Sequence, residues 1–305
     1  MDKKTFFDNL CVPEGVVDAV IDTDTYNEID DQFALAYLIN SDDKINLKAI
    51  YAAPFHNERS ASPADGMRKS YEEIMRVLER MGREEYKAVV FRGAERYMEN
   101  ENTPVESEAM NDLVRRAREY SPEKPLYVIA IAAITNVASA IVAAPDIAEN
   151  IVVVWLGGHD IHNNMECDEF NMNHDIAAAR VVFECASPLV QLPCRGVVSA
   201  FAISEAELHT WFEGKNKICD FLVDNALSAQ KAAMGKPWSR VIWDVTAVAW
   251  LLNDGDAFME SKIMPCRIPE YDLKYREVPE TKDIRYVNYI KRDPLLRDLV
   301  KKLTK

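Results

Sequence analysis

Five acidic side chains, Asp22, Asp24, Glu28, Asp30 and Asp31, fall within ten residues of the sequence. Carboxylates crowded this closely repel one another, and a bound cation is the simplest way to stabilise them near neutral pH. Read alone, Asp22 and Thr23 could merely turn the chain, and Asp30 and Asp31 could complement the dipole of a helix start. Five acids around one strand end favour the cation site. A second group is Ala132-Ala133-Ile134-Thr135-Asn136, whose small residues would let the backbone approach a ligand; Thr135 reads best as a helix cap. A third runs from Gly157-Gly158 through His159, His162, Asn163 and Asn164 to Glu169-Phe170-Asn171 and Asp175. Its donors and acceptors suit hydroxyl groups such as those of a sugar. His159 and His162 have a spacing that can ligate a transition metal, but no cysteine partner stands near them. The fourth is Trp243-Asp244, a carboxylate interrupting an apolar helical stretch. If buried, Asp244 needs a cation or several donors.

Elements able to position these groups are legible in the same pattern. Apolar residues 16–21 lead into the acidic stretch, and the amphipathic run 33–39 follows it, predicting strand, acidic loop and helix. Further strands are expected at 46–53, 88–91, 127–134, 151–156 and 189–192. Helices are expected at 71–81 (stopped by Gly82), 108–120 (capped by Ser107), 135–144, 175–184, 205–212, 218–234 and 241–252. The last fifty residues are charged and show no clear period. Strands and helices alternate without a Gly/Ser-rich linker or internal repeat. This predicts a single α/β domain over residues 1–305, with a mostly parallel, Rossmann-like central sheet flanked by helices. Loops after such strands gather at one sheet edge, where ligands bind.

The composition excludes several function classes. With 36 basic against 50 acidic residues the chain carries a net charge of −14. It lacks the clustered Lys and Arg that nucleic acid or an anionic membrane surface requires. The polar first ten residues are not expected to form a secretory signal, and residues 127–134 are too few to cross a bilayer. Six cysteines without a C-x-x-C pair read as reduced thiols of a cytoplasmic protein.

Taken in order, the four groups resemble the inosine-uridine preferring nucleoside hydrolase family. The family signature D-x-D-P-G-x-D-D appears as Asp22-Thr23-Asp24 followed by Asp30-Asp31, without the Pro-Gly and with a loop two residues longer that contains Asn27-Glu28. L-T-N appears as Ile134-Thr135-Asn136, M-G-G as Leu156-Gly157-Gly158, and E-F-N-x-x-x-D as Glu169-Phe170-Asn171 to Asp175. The late H-D appears as Trp243-Asp244. The resemblance implies a Ca2+ ion held by Asp24, Asp31, Asp244 and the backbone carbonyl of Ile131, an oxygen-only donor set that suits calcium chemically. It implies Asp24 as the general base that activates water, and Asp30 as acceptor from ribose hydroxyls. Glu169 and Asn171 would hold the sugar, with Asn163 or Asn164 near the 5′-hydroxyl. Trp243 stands where many members have a histidine acid and suggests a stacked, purine base. The family's ribose-binding Asn after the second strand has no direct counterpart, and Asn57 is the nearest substitute. The implied partner is a small nucleoside, and the implied assembly a homodimer or homotetramer.

Two other readings compete. Residues 20–25 also resemble the first motif of haloacid dehalogenase phosphatases, with Asp22 as phosphorylated nucleophile and Asp24 as acid/base. Alternatively, replacement of the histidine and asparagine would leave a calcium-dependent ribose or nucleoside binder without turnover.

Overall fold

The computed structural model describes residues 1–162, 166–233 and 235–305. Its strands are β1 (Val17–Thr23), β2 (Ile45–Ala52), β3 (Val90–Arg92), β4 (Leu126–Ala130), β5 (Ile151–Leu156), β6 (Leu189–Leu192), β7 (Ala202–Ser204), β8 (Ser239–Val241), β9 (Met259–Pro265), β10 (Arg267–Pro269), β11 (Tyr275–Glu277) and β12 (Asp283–Ile290). Eight of them form one sheet in the order β3-β2-β1-β4-β5-β6-β12-β9. All neighbours run parallel except the final β12–β9 pair. Helices cover both faces, and this is the expected α/β architecture.

The central strands are apolar at successive positions because both of their faces are buried. In β4, Tyr127 and Ile129 enter one core while Leu126, Val128 and Ala130 enter the other; in β5, Val152, Val154 and Leu156 oppose Ile151, Val153 and Trp155. The helix Asp30–Ile39 is buried along its whole length and packs in the first of these cores. Each of its fully buried Leu, Ile and Phe side chains contributes about 1.5–3 kcal/mol. The loops after β1, β4, β5 and β6 therefore emerge at one edge of a rigid sheet.

Several elements differ from the sequence expectation. The apolar run 127–134 is strand only to Ala130; Ile131 to Ile134 leave the sheet and lead into the helix Thr135–Ala143. Thr135 is not its cap: the cap position is Ile134, and the Thr135 hydroxyl donates to Asp175 Oδ2 at 2.6 Å. Glu169 caps a short helix, Phe170–His174, that precedes the helix expected at 175–184. The helix ending at Gly82 begins at Pro63, where Ser62 accepts from the Asp65 N–H and the proline occupies the first turn. The pattern at 241–252 divides into the end of β8 and the helix Val245–Leu251. The C-terminal region supplies β9, β12 and the helix Arg292–Leu303. Among the described residues no helix is long and apolar enough to cross a membrane.

Candidate active site

The acidic loop takes its place from the two elements that bound it. β1 delivers Asp24 to the sheet edge, and the helix Asp30–Ile39 presents Asp30 and Asp31 in its first turn. Asp244, at the cap position of the helix Val245–Leu251, meets them from the other side. Oxygens of Asp30, Asp31 and Asp244 lie within 4.8 Å of one another. Asp24 flanks this trio and shares a hydrogen bond with Asp31. All four are buried. Burial, followed by mutual repulsion, holds Asp24, Asp30 and Asp244 well above the ordinary carboxylate range. Asp31 rises to about 6, also through burial, eased by the Thr23 hydroxyl at 2.6 Å. Two buried oxygens, Asp24 Oδ2 and Asp30 Oδ1, have no hydrogen-bond partner. Unpaired oxygens of this kind are costly without a cation. The donor set is hard and oxygen-only, so the cluster fits a divalent metal ion.

These residues line a cavity of about 250 Å³, whose wall also includes Ile131, Leu156, Glu169, Asn171 and Trp243. The Glu169 carboxylate accepts from the N–H groups of Gly158 (2.9 Å), Asn171 (2.8 Å) and Met172 (3.0 Å). Burial nevertheless raises it to about 7. Asn171 Nδ2 donates to the Leu156 carbonyl at 3.1 Å, which fixes the amide at the cavity wall. Gly158 is required at this turn. Its φ is +78°, and a Cβ there would lie 1.8 Å from the Tyr275 hydroxyl. Behind the wall, Asp175 accepts from Thr135 Oγ1, Met98 N and Ala178 N, clamping two loops and a helix start together.

Of the residues singled out in the sequence, Asp24, Asp30, Asp31, Ile131, Glu169, Asn171, Trp243 and Asp244 converge on this cavity. Asn57 does not line it; its amide donates to Asn27 Oδ1 at 2.7 Å, and Asn27 is the wall residue. Asn163 and Asn164 lie outside the described residues. Asp22 is buried behind the acidic loop, where it accepts from Asn136 Nδ2 at 2.8 Å and burial raises it to about 7. It does not reach the cavity, so the nucleophile that the phosphatase reading needs is absent from the cavity wall. His159 lines the cavity but does not meet His162: Nε2 of His159 faces Asp168 at 3.4 Å, and Nε2 of His162 faces Lys262. The inserted Asn27-Glu28 forms part of the wall, with Glu28 paired to Arg240 at 3.2 Å. Sequence reasoning missed Cys194 and Arg195 in the wall. They follow β6 as Gly157-Gly158 follows β5, but only the pairing of β6 with β5 in the sheet brings them to the cavity.

A family model described as inosine-uridine preferring nucleoside hydrolase matches residues 19–284. No curated protein matches the chain in sequence. Among solved structures, a plant nucleoside hydrolase superposes with a TM-score of 0.72 at 15% identity, over 96% of this chain and 99% of that one. A purine-preferring ribonucleoside hydrolase from Gardnerella vaginalis gives 0.71 at 15% identity, over 94% and 98%. The type III effector protein XopQ, complexed with adenosine diphosphate ribose, gives 0.69 at 16% identity, over 100% and 99%. At identities this low the superpositions establish a common fold alone.

Proposed function

Because the chain belongs to the inosine-uridine preferring nucleoside hydrolase family, we propose that it is a calcium-dependent N-ribohydrolase that releases the base from purine nucleosides. Family membership makes it a hydrolase of N-glycosyl compounds; the ion, the base and the residue roles are our reading. The observation that carries this reading is the convergence of four buried aspartates on one cavity, with an unpaired oxygen on Asp24 and another on Asp30.

In this reading Asp24, Asp31, Asp244 and the Ile131 carbonyl hold the ion, which supplies Lewis acidity toward water. Asp24 takes the proton of the attacking water as general base. Asp30 turns its free oxygen to the ribose hydroxyls, and Glu169 and Asn171 hold the rest of the sugar. As the C1′–N bond breaks, positive charge grows on the ribose and the surrounding carboxylates stabilise it. Trp243 offers a ring face to the departing base, which supports a purine because the larger ring system stacks more area. A relative named for purine preference supports the same choice. With no imidazole at position 243, solvent protonates the base.

Chromatography of purine and pyrimidine nucleosides after incubation with the protein, with Ca2+ or with chelator, tests this. Calcium-dependent appearance of free purine is expected. The Trp243 replacement and the position of Asn57 outside the cavity favour one second reading, a calcium-dependent ribosyl binder; it predicts thermal stabilisation by nucleosides and no free base.

A further inference from the structure

Six carboxylates line the cavity, and its only other titratable wall groups of basic type among the described residues are His159 and Arg195. Both stand together, after β5 and β6. Arg195 is held by its backbone at two points: its N–H donates to His159 Nδ1 at 3.3 Å, and its carbonyl accepts from Asp160 N at 3.0 Å. Its guanidinium is exposed to solvent, meets no carboxylate or carbonyl among the described residues, and lies close enough to His159 for its charge to disfavour the imidazolium. The bond at Nδ1 leaves the His159 ring proton on Nε2, a donor flanked by the half-exposed Asp168 at 3.4 Å. Glu169 and Asn171, the groups suited to sugar hydroxyls, lie on the same side of the site, beside β5. Ribose hydroxyls need no guanidinium; an unpaired arginine with an N–H donor beside it is the chemistry of phosphate recognition.

Strand order sets the direction. The acidic cluster follows β1 and Ile131 follows β4, Gly158 and His159 follow β5, and Arg195 follows β6. From β1 to β6 is three strand spacings, about 14 Å. A ribose with C1′ at the acidic cluster and its hydroxyls toward Glu169 would extend its 5′ end toward β6. Resting on the N-ribohydrolase reading above, we propose that the site acts on 5′-phosphorylated ribosyl compounds, with the phosphoryl group held by Arg195 and His159. Water adds to C1′ and gives a proton to Asp24, the C1′–N bond breaks, the base takes a proton from solvent, and ribose 5-phosphate is the second product. The phosphate ester itself stays intact.

The test compares kcat/KM for inosine 5′-monophosphate with that for inosine, and guanosine 5′-monophosphate with guanosine, in calcium, scoring free base and ribose 5-phosphate. A nucleotide-to-nucleoside ratio above one is expected, falling about ten- to hundredfold in R195A, the range for loss of charge-assisted hydrogen bonds. R195K, which keeps the charge without the fork, should fall between. Efficient cleavage of nucleosides with a ratio below one, or a ratio unmoved by R195A, overturns the inference and leaves the ribohydrolase reading standing. If neither class is cleaved, the ribohydrolase reading itself fails, and calorimetric binding decides the phosphate site: ribose 5-phosphate bound more tightly than ribose, with the difference lost in R195A, supports it, and equal binding overturns it. Adenosine diphosphate ribose in the same titration distinguishes a site for a terminal phosphate from one that accepts a diphosphate bridge.

Discussion

Calcium should stabilise the protein more at neutral pH than in mild acid, and the size of the change follows from the buried carboxylates. Asp31 is raised from 3.8 to about 6 in the folded protein. A raised carboxyl keeps its proton after the unfolded chain has lost it. Its stability contribution is therefore full below pH 3.8, falls as pH rises to about 6, and is gone above. Without a cation, ionising Asp31 alone costs about 3 kcal/mol. Asp24, Asp30 and Asp244 shift in the same direction. A bound calcium ion needs these groups ionised, so its affinity grows across the interval in which they lose protons. The calcium-induced rise in Tm should thus be larger at pH 7.5 than at pH 5. Only about one unit of the Asp31 shift lies between pH 5 and pH 7.5, about 1.4 kcal/mol, so at about 2 °C per kcal/mol for a large domain the Asp31 portion amounts to about 3 °C. Asp22 and Glu169, both raised to about 7, add a loss of stability between about pH 4 and 7 in chelator. Thermal melts by circular dichroism, paired in calcium and in chelator at each pH, provide the measurement. A calcium effect that is equal at both pH values, or none at either, would refute the reasoning.

Three substitutions test the supporting geometry. Gly158→Ala should destabilise by about 2–4 kcal/mol in denaturant melts, because it combines a positive φ with overlap on the Tyr275 hydroxyl. Asp175→Ala removes the acceptor of two backbone N–H groups and the Thr135 hydroxyl, and should cost about 3 kcal/mol in the same measurement. Trp243→Ala should raise KM for purine nucleosides about ten- to hundredfold in steady-state assays, with a smaller effect on pyrimidines.

The parts of the fold that could be read from sequence are those in which the apolar pattern and the burial coincide. β5 and β6 fall at 151–156 and 189–192 as expected, because both faces of each strand are covered. Residues 127–134 misled because Ile131 to Ile134 are as buried as the strand before them, so apolarity continues past the point where hydrogen bonding stops. β9 and β12 were illegible for the opposite reason. β9 is the antiparallel edge of the sheet and largely exposed, so its Glu, Ser and Lys residues hide it among surface charges. In the site, the clustered aspartates were legible because no ordinary structural demand puts five acids at one strand end. Arg195 and Cys194 were not, because a lone Arg after a short strand has no signature until β6 is seen beside β5. Asn57 was expected in the cavity, yet the inserted Asn27 stands between them and takes its hydrogen bond.

The central claim is that the buried aspartates perform hydrolysis and do not merely hold a ligand. Steady-state release of free base from inosine and guanosine, by the unaltered chain and by Asp24→Ala, with and without calcium, tests it most directly. The account predicts sustained release by the unaltered chain in calcium, with loss by more than a hundredfold in chelator and in Asp24→Ala. Release that persists in Asp24→Ala, or nucleoside binding with no release by the unaltered chain, would contradict it.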